Sequence, residues 1–70
     1  MTRQLVISTD LKSVGYDAVA HVLEVEIQGG PIFRYFDVPQ SVYETLMSEP
    51  SKGQYFNNNV VAKYECRRIG

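Results

Sequence analysis

Two side chains in this sequence are of the types used in nucleophilic catalysis, namely Cys66 and His21. An activated thiol needs a base held beside it, and nothing in the spacing of these residues predicts that they meet. Zinc sites need a cluster of ligands, which a single cysteine and a single histidine do not supply. Gly29-Gly30 lacks the lysine and the helix start of a phosphate-binding loop. The sequence therefore predicts a chain that is not an enzyme and that has no metal and no cofactor.

A pair of carboxylates is the other arrangement that could do acid–base chemistry. Glu24 and Glu26 are two residues apart and therefore project from one side of a strand. The polar side of a half-covered strand ordinarily faces water. We interpret the pair as a solvated strand face.

Binding chemistry has more candidates. The aromatic residues that could include a base-stacking platform are Phe33, Tyr35, Phe36, Tyr55 and Phe56. The cations that accompany them are Arg34, Lys52, Lys63, Arg67 and Arg68. Sheet-based RNA modules hold unpaired bases on such rings. In a short chain most of the rings must instead form the core, so a platform and a core remain alternative interpretations.

The element that positions these residues is the stretch from Phe33 to Met47. Its first part alternates as an extended chain does, and Val38-Pro39 then favours a change from strand to helix. Asp37 lies where its carboxylate could cap that helix. The apolar residues beyond the joint recur at helical spacing, and they are Val42, Tyr43, Leu46 and Met47. The pattern predicts an amphipathic helix over residues 39–48.

Two strands precede this helix and should pair with its leading strand as an antiparallel meander over residues 11–16, 23–27 and 32–36. Gly29 and Gly30 indicate a hairpin between the last two strands. A two-residue turn would place Leu23 opposite Phe36. A loop longer by one residue would instead put Phe33 and Tyr35 on the face of Leu23, because such a slip changes the face of every side chain. Both registers are compatible with the sequence.

The flanking segments are less regular. Residues 1–10 read as a lead-in or a short edge strand. Ser51 and Gln54 have the spacing of a capping box, which predicts a second short helix from Ser51 that ends within the run Asn57-Asn58-Asn59. Residues 60–69 are expected to be extended and to close over the sheet or the helix.

Composition limits the class of protein. The chain has 70 residues, 44% of them hydrophobic, which is enough for one small domain over residues 1–70 with a core from about 7 to 69. No segment is apolar enough to span a membrane, and the one cysteine agrees with a reducing, cytoplasmic location. The net charge is −1, which argues against strong binding of nucleic acid by the chain as a whole.

The ordered set of short motifs resembles a known family. The motifs are Ser13-Val14-Gly15-Tyr16-Asp17, Leu23-Glu24-Val25-Glu26, Phe33 to Pro39, Val42-Tyr43, Leu46-Met47 and Ser51 to Asn57. Together they resemble the KTSC domain, named for the carboxy-terminal extension of some lysyl-tRNA synthetases, over about residues 7–69. The resemblance implies a small α+β domain of unestablished function, whose stand-alone members occur in bacteria and their phages. Because the family's domain occurs as an extension of some tRNA synthetases, the resemblance suggests RNA binding.

We therefore expect an α+β fold with a three-stranded antiparallel β-meander, packed by one amphipathic helix and a second short helix. The first functional hypothesis is a non-enzymatic module that binds RNA weakly. The residues expected to make the contact are Phe33, Arg34, Tyr35, Lys52, Asn57, Lys63, Arg67 and Arg68. The alternative is a module for protein–protein interaction or self-association, which suits the small core and the negative charge.

Overall fold

A computed structural model describes all residues from Met1 to Gly70. The chain forms one antiparallel sheet of five strands in the order β1-β2-β3-β4-β5. The strands are β1 (Gln4–Leu5), β2 (Leu11–Asp17), β3 (Val22–Ile27), β4 (Ile32–Tyr35) and β5 (Cys66–Arg68). The helices are α1 (Gln40–Ser48) and α2 (Lys52–Phe56), and a π-helical segment, Asn57–Val61, continues from α2.

The expected α+β class and the central meander are confirmed, but the expected count of three strands is wrong. The lead-in forms the edge strand β1, and only Cys66–Arg68 of the tail expected to be extended over residues 60–69 forms a strand, β5 beside β4, since the π-helical segment and a turn occupy residues 60–64. Both additions are short edge strands of two and three residues. Strands so short carry almost no periodicity, and their pairing with β2 and β4 is what makes them strands.

The β3–β4 hairpin has the longer of the two loops that the sequence allows. Leu23 pairs with Tyr35 and Val25 with Phe33, so the loop consists of Gln28, Gly29 and Gly30. Gly29 and Gly30 have φ angles of 101° and 121°, a region that side chains disfavour. The two glycines thus permit a loop whose extra residue sends both aromatic rings toward the helices.

The core lies between one face of the sheet and the helices. Its nine buried residues are Leu11, Val14, Leu23, Val25, Tyr35, Val38, Leu46, Phe56 and Val60. The predicted stripe of α1 is confirmed, because Leu46 is buried while Val42, Tyr43 and Met47 pack against the core. The other face of the sheet carries no helix, and we call it the open face.

The joint between β4 and α1 docks on the sheet through Val38. This side chain is fully buried, and its carbonyl accepts a hydrogen bond from the Tyr16 hydroxyl. The ring of Tyr16 stacks on that of Tyr43, with centroids 5.1 Å apart and planes 11° apart. These contacts tie the start of α1 to β2, which agrees with the central place that the sequence gives this stretch.

Three local expectations for the helices are wrong. Asp37 does not cap α1, since its φ of 56° places it in a turn and Pro39 occupies the cap position. Ser51 makes no side-chain capping bond to α2, so the capping box does not form. The α-helix ends at Phe56, just before the asparagines rather than within them, and the chain widens there into the π-helical segment.

Candidate functional site

The structure divides the eight residues expected to bind RNA into separate groups. Arg34 and Arg67 are paired on neighbouring strands and lie on the open face. Phe33, Tyr35 and Arg68 alternate with them and point to the helical side. The remaining three, Lys52, Asn57 and Lys63, belong to the helices and the turn that follows them. The eight residues therefore do not form one continuous site.

Tyr35 is part of the core. The residue is 4% exposed. Its ring packs edge to face against the ring of Phe56, with the two centroids 5.4 Å apart. Burial, with a smaller contribution from neighbouring Cys66, raises the pKa of Tyr35 to about 12. This ring has no face free for stacking on a base. Phe36 directly follows β4. It is 37% exposed, so its ring remains accessible.

Lys52 has a structural contact of its own. Its ammonium group donates a hydrogen bond of 2.8 Å to the carbonyl oxygen of Glu49, just beyond the end of α1. A cation in this place also interacts favourably with the negative end of the helix dipole. Asn57 is exposed at the start of the π-helical segment. Lys52 therefore has a structural role in the fold, whereas the structure shows no such role for Asn57.

The feature that sets the open face apart is a row of charged residues across the sheet. Register pairs Gly15 with Glu24, Glu24 with Arg34, and Arg34 with Arg67. Arg3 lies over Gly15 at the far end. We call Arg3, Arg34 and Arg67, with Glu24 among them, the arginine row.

Glu24 is held between two guanidinium groups. One carboxylate oxygen accepts a 2.8 Å hydrogen bond from Arg34 Nε, and the other accepts one from Arg3 Nη1. Its side chain is 4% exposed, whereas those of Arg3 and Arg34 are 27% and 46% exposed. The arginines thus shield the carboxylate from water and keep part of their own donors on the surface.

The interpretation of Glu24 and Glu26 as a solvated strand face is wrong. Glu24 is buried, and Glu26 is half-buried and accepts a 2.8 Å hydrogen bond from the Ser13 hydroxyl. Arg3 Nε donates in turn to that hydroxyl at 2.9 Å. A charged strand residue can be buried without a helix over it when long side chains from neighbouring strands fold across it.

Gly15 provides the space through which Arg3 reaches Glu24. A Cβ atom at this position would lie 2.7 Å from the Thr2 carbonyl oxygen, 3.1 Å from Arg3 Cγ and 3.3 Å from Arg3 Cα. The first of these distances is shorter than real contacts allow. Only a glycine therefore lets the N-terminal segment lie this close to β2.

The charge state of Glu24 follows from a balance of opposed effects. Desolvation raises its pKa, but the hydrogen bonds and positive charges of Arg34 and Arg3 outweigh desolvation and hold the pKa below its ordinary value. The carboxylate is thus ionised near neutral pH, as an acceptor for two arginines must be. The site is a preformed ionic network rather than an acid–base pair.

Sequence reasoning missed Arg3, Gly15 and the role of Glu24. Arg3 carries no periodic signal, because it precedes a strand of only two residues. Glu24 opposite Arg34 was within reach of the sequence, but only in the longer of the two hairpin registers. An opposite-charge cross-strand pair is a signal that could have favoured that register.

The groups first considered for catalysis are not assembled into a site. His21 is exposed in the turn between β2 and β3, and Cys66 is an exposed free thiol in β5. No three histidine, cysteine, aspartate or glutamate side chains come together in a geometry for a metal ion. Neither helix has the length and apolarity needed to cross a membrane.

The fold and the open face define a small α+β domain with a charged, uncovered sheet. Residues 7–64 match the family model of the KTSC domain, and this chain belongs to that family. Membership assigns no activity. The resemblance noted from the sequence motifs is confirmed.

Similar proteins of two kinds support this assignment. A KTSC domain protein of Yersinia pestis has a solved structure that superimposes with a TM-score of 0.92, at 36% identity, over 99% of this chain and 97% of its own. An uncharacterized protein of Stutzerimonas stutzeri is 40% identical over 81% of this chain and 80% of its own length. A lysine–tRNA ligase of Nostoc punctiforme is 36% identical over 84% of this chain, which spans only 10% of that enzyme.

The close approach at Gly15 generates a prediction. Gly15→Ala should displace the N-terminal segment and loosen Arg3 from Glu24, lowering the free energy of unfolding by about 1–3 kcal/mol. Chemical denaturation measures the stability, and carbon-detected NMR measures the Glu24 pKa, which should rise as one of its cations is lost. Unchanged stability together with an unchanged pKa would show that Thr2 and Arg3 do not press on Gly15.

The lowered pKa of Glu24 makes stability depend on pH. A carboxyl group with a lower pKa in the folded than in the unfolded chain stabilises the fold above its unfolded pKa, and this contribution disappears as the pH falls through the folded pKa. Glu24→Gln should therefore cost about 1–2 kcal/mol at pH 7, since the arginines are partly solvated. The difference from wild type should shrink as the pH falls below the ordinary carboxyl pKa of 4.5 and through the lower pKa of folded Glu24.

Comparing Glu24→Gln with the wild type cancels the contribution of a second acid-sensitive group, Asp17. Hydrogen bonds from the backbone N–H groups of Ala20 and Val19 lower the pKa of Asp17, and this effect is the same in both proteins. Denaturation curves across the pH range are the measurement. A constant difference between wild type and Glu24→Gln would contradict the ionised network.

Proposed function

We propose that this chain is a non-enzymatic binding module and that the open face binds RNA. The observation that carries the proposal is the arginine row on a sheet face without a helix. Its three guanidinium groups share one face with Glu24 and Glu26, and only those of Arg3 and Arg34 form salt bridges, so Arg67 is a local unpaired cation although the chain carries a net charge of −1. Phosphate binding depends on such local cations more than on the total charge.

Glu24 makes the face better suited to binding. It fixes Arg3 and Arg34 through one hydrogen bond each. Every guanidinium group has five N–H donors, so most of theirs remain free for a ligand. Side chains that are held in place before binding lose less conformational entropy when a phosphate arrives. The carboxylate is in this view a positioning group for two phosphate-binding arginines.

Arg67 supplies a cation that forms no salt bridge within the chain. It is exposed at the edge of the sheet, paired with Arg34 in the strand register. Strands are about 4.8 Å apart, so the row from β1 to β5 extends for about 19 Å. A single-stranded segment of a few nucleotides could lie along it, with a base against the exposed ring of Phe36.

The relatives support RNA as the ligand. Lysine–tRNA ligases of cyanobacteria such as Nostoc punctiforme contain a region similar to this chain, and by name they act on tRNA. Because the chain matches a tenth of such an enzyme, the ligase reaction itself is not part of the proposal. We take only the class of nucleic acid from them. The free thiol of Cys66 is compatible with a reducing, cytoplasmic setting.

The two consecutive arginines of β5 provide a matched test. Arg67 lies on the open face, whereas Arg68 alternates to the other side and donates a 2.7 Å hydrogen bond to the Gly70 carbonyl. Arg67→Ala should weaken binding of a short single-stranded RNA about 3- to 10-fold and reduce the slope of log affinity against log salt by about 0.7. Arg68→Ala removes the same charge and should have a much smaller effect.

The measurement is a fluorescence-anisotropy titration of labelled RNA at several salt concentrations. Equal losses for Arg67→Ala and Arg68→Ala, or an affinity that salt does not change, would contradict binding by the open face. Retention of the wild-type thermal transition by both variants confirms that the fold is intact.

A specific observation also favours self-association as a second candidate. Leu5 and Ile7, at the β1 edge, are 75% and 96% exposed, and an unpaired edge strand is a template for pairing with another chain. If the chain associates through this edge, its mass in sedimentation should increase with concentration, and Leu5→Ser/Ile7→Ser should return it to a monomer. A monomeric wild type at high concentration would remove this candidate.

A further inference from the structure

A polar cleft lies in the helical layer, away from the open face. Its volume is about 310 Å³, near the lower end of the range for small-ligand sites. It lies between the end of α1 and the α2–π-helical stretch. The residues that line it are Glu49, Ser51, Gln54, Tyr55, Asn58 and Asn59.

Helix formation does not account for the types of residue that line the cleft. Consecutive asparagines disfavour a helix interior, because their side chains compete for backbone hydrogen bonds. At this point the α-helix widens into a π-helical segment, a change that is frequent at functional sites. Asn59 donates to the Tyr55 carbonyl at 3.2 Å, but the side chains of Gln54 and Asn58 have no partner within the chain. Their amide groups are free to bind a ligand.

We propose that this cleft binds one unpaired nucleobase that carries an exocyclic amino group. The inference rests on the proposed RNA-binding function and deepens it. Tyr55 packs against the core and therefore offers a fixed ring for stacking at the side of the cleft. Gln54 and Asn58 each supply both donors and acceptors, which suits the edge of a base.

Glu49 determines which bases fit. A carboxylate only accepts hydrogen bonds, so it favours the amino group of adenine, cytosine or guanine and disfavours the O4 carbonyl that uracil has in place of the amino group of cytosine. It also repels phosphate. The nearest lysine, Lys52, is held by the Glu49 carbonyl. The cleft is thus suited to a neutral base rather than to the RNA backbone.

The test uses the full chain and four nucleosides without phosphate: adenosine, cytidine, guanosine and uridine. Titration of ¹⁵N-labelled protein should shift the backbone signals of residues 54–59 and the side-chain amides of Gln54 and Asn58. Uridine should bind about 5-fold or more weaker than cytidine, because its exocyclic O4 accepts hydrogen bonds and cannot donate to Glu49 as the amino group of cytidine does. Binding of uridine as tight as that of cytidine would overturn the proposal.

Two variants and a matched control locate the contact. Asn58→Ala should weaken cytidine binding about 5- to 10-fold, and Glu49→Gln should bring cytidine and uridine closer together, because glutamine both donates and accepts. Asn57→Ala makes the same change at the preceding asparagine, which does not line the cleft, and should leave binding unchanged. Equal effects at Asn57 and Asn58 would overturn the assignment.

The outcomes separate this inference from the proposed function. If RNA binds with dependence on salt and Arg67 while nucleosides shift no signal in the cleft, the cleft proposal fails and the open face stands. If nucleosides shift the cleft signals in the predicted order while RNA affinity does not depend on Arg67, the cleft stands and the open face fails.

Discussion

The register between β3 and β4 governs nearly every other feature of this protein. It is set by a three-residue loop in which Gly29 and Gly30 take positive φ angles. Because successive side chains of a strand point to opposite faces, this register sends Phe33 and Tyr35 toward the helices and places Arg34 over Glu24. A slip by one residue would expose two rings and turn the arginine toward the core.

The consequence of that register is a sheet with two unlike faces. One face packs nine buried residues against two short helices, which is a small core for 70 residues. On the other face, Arg3 and Arg34 cover the ionised Glu24. Such a network has to overcome desolvation, and apolar residues could cover the strand equally well. The proposed binding function would give the ionic arrangement a role other than stability.

The two proposed binding surfaces differ in chemistry and in position. The open face presents guanidinium groups suited to phosphate, whereas the cleft presents amides and a carboxylate suited to the edge of a base. They belong to opposite layers of a molecule that measures 28 × 24 × 22 Å. An RNA strand that used both would have to pass around an edge of the sheet. Phosphate contacts and base contacts have separate roles in nucleic-acid recognition.

Local patterns were sufficient for the α+β class, the central meander, the apolar stripe of α1 and the family, because each depends on periodicity or motif order within the chain. They were insufficient where the outcome depends on segments far apart in sequence. Strands β1 and β5 exist through pairing, Tyr35 is buried by Phe56, and Arg3 reaches Glu24 across Gly15. Asp37 and Ser51 resemble caps in sequence, but the backbone does not aim them at the helices. The sequence by itself determined the central meander and the amphipathic helix; tertiary structure alone decided the edge strands and which charges and rings meet, because edge strands form by pairing and a one-residue shift of register exchanges the two faces of a strand.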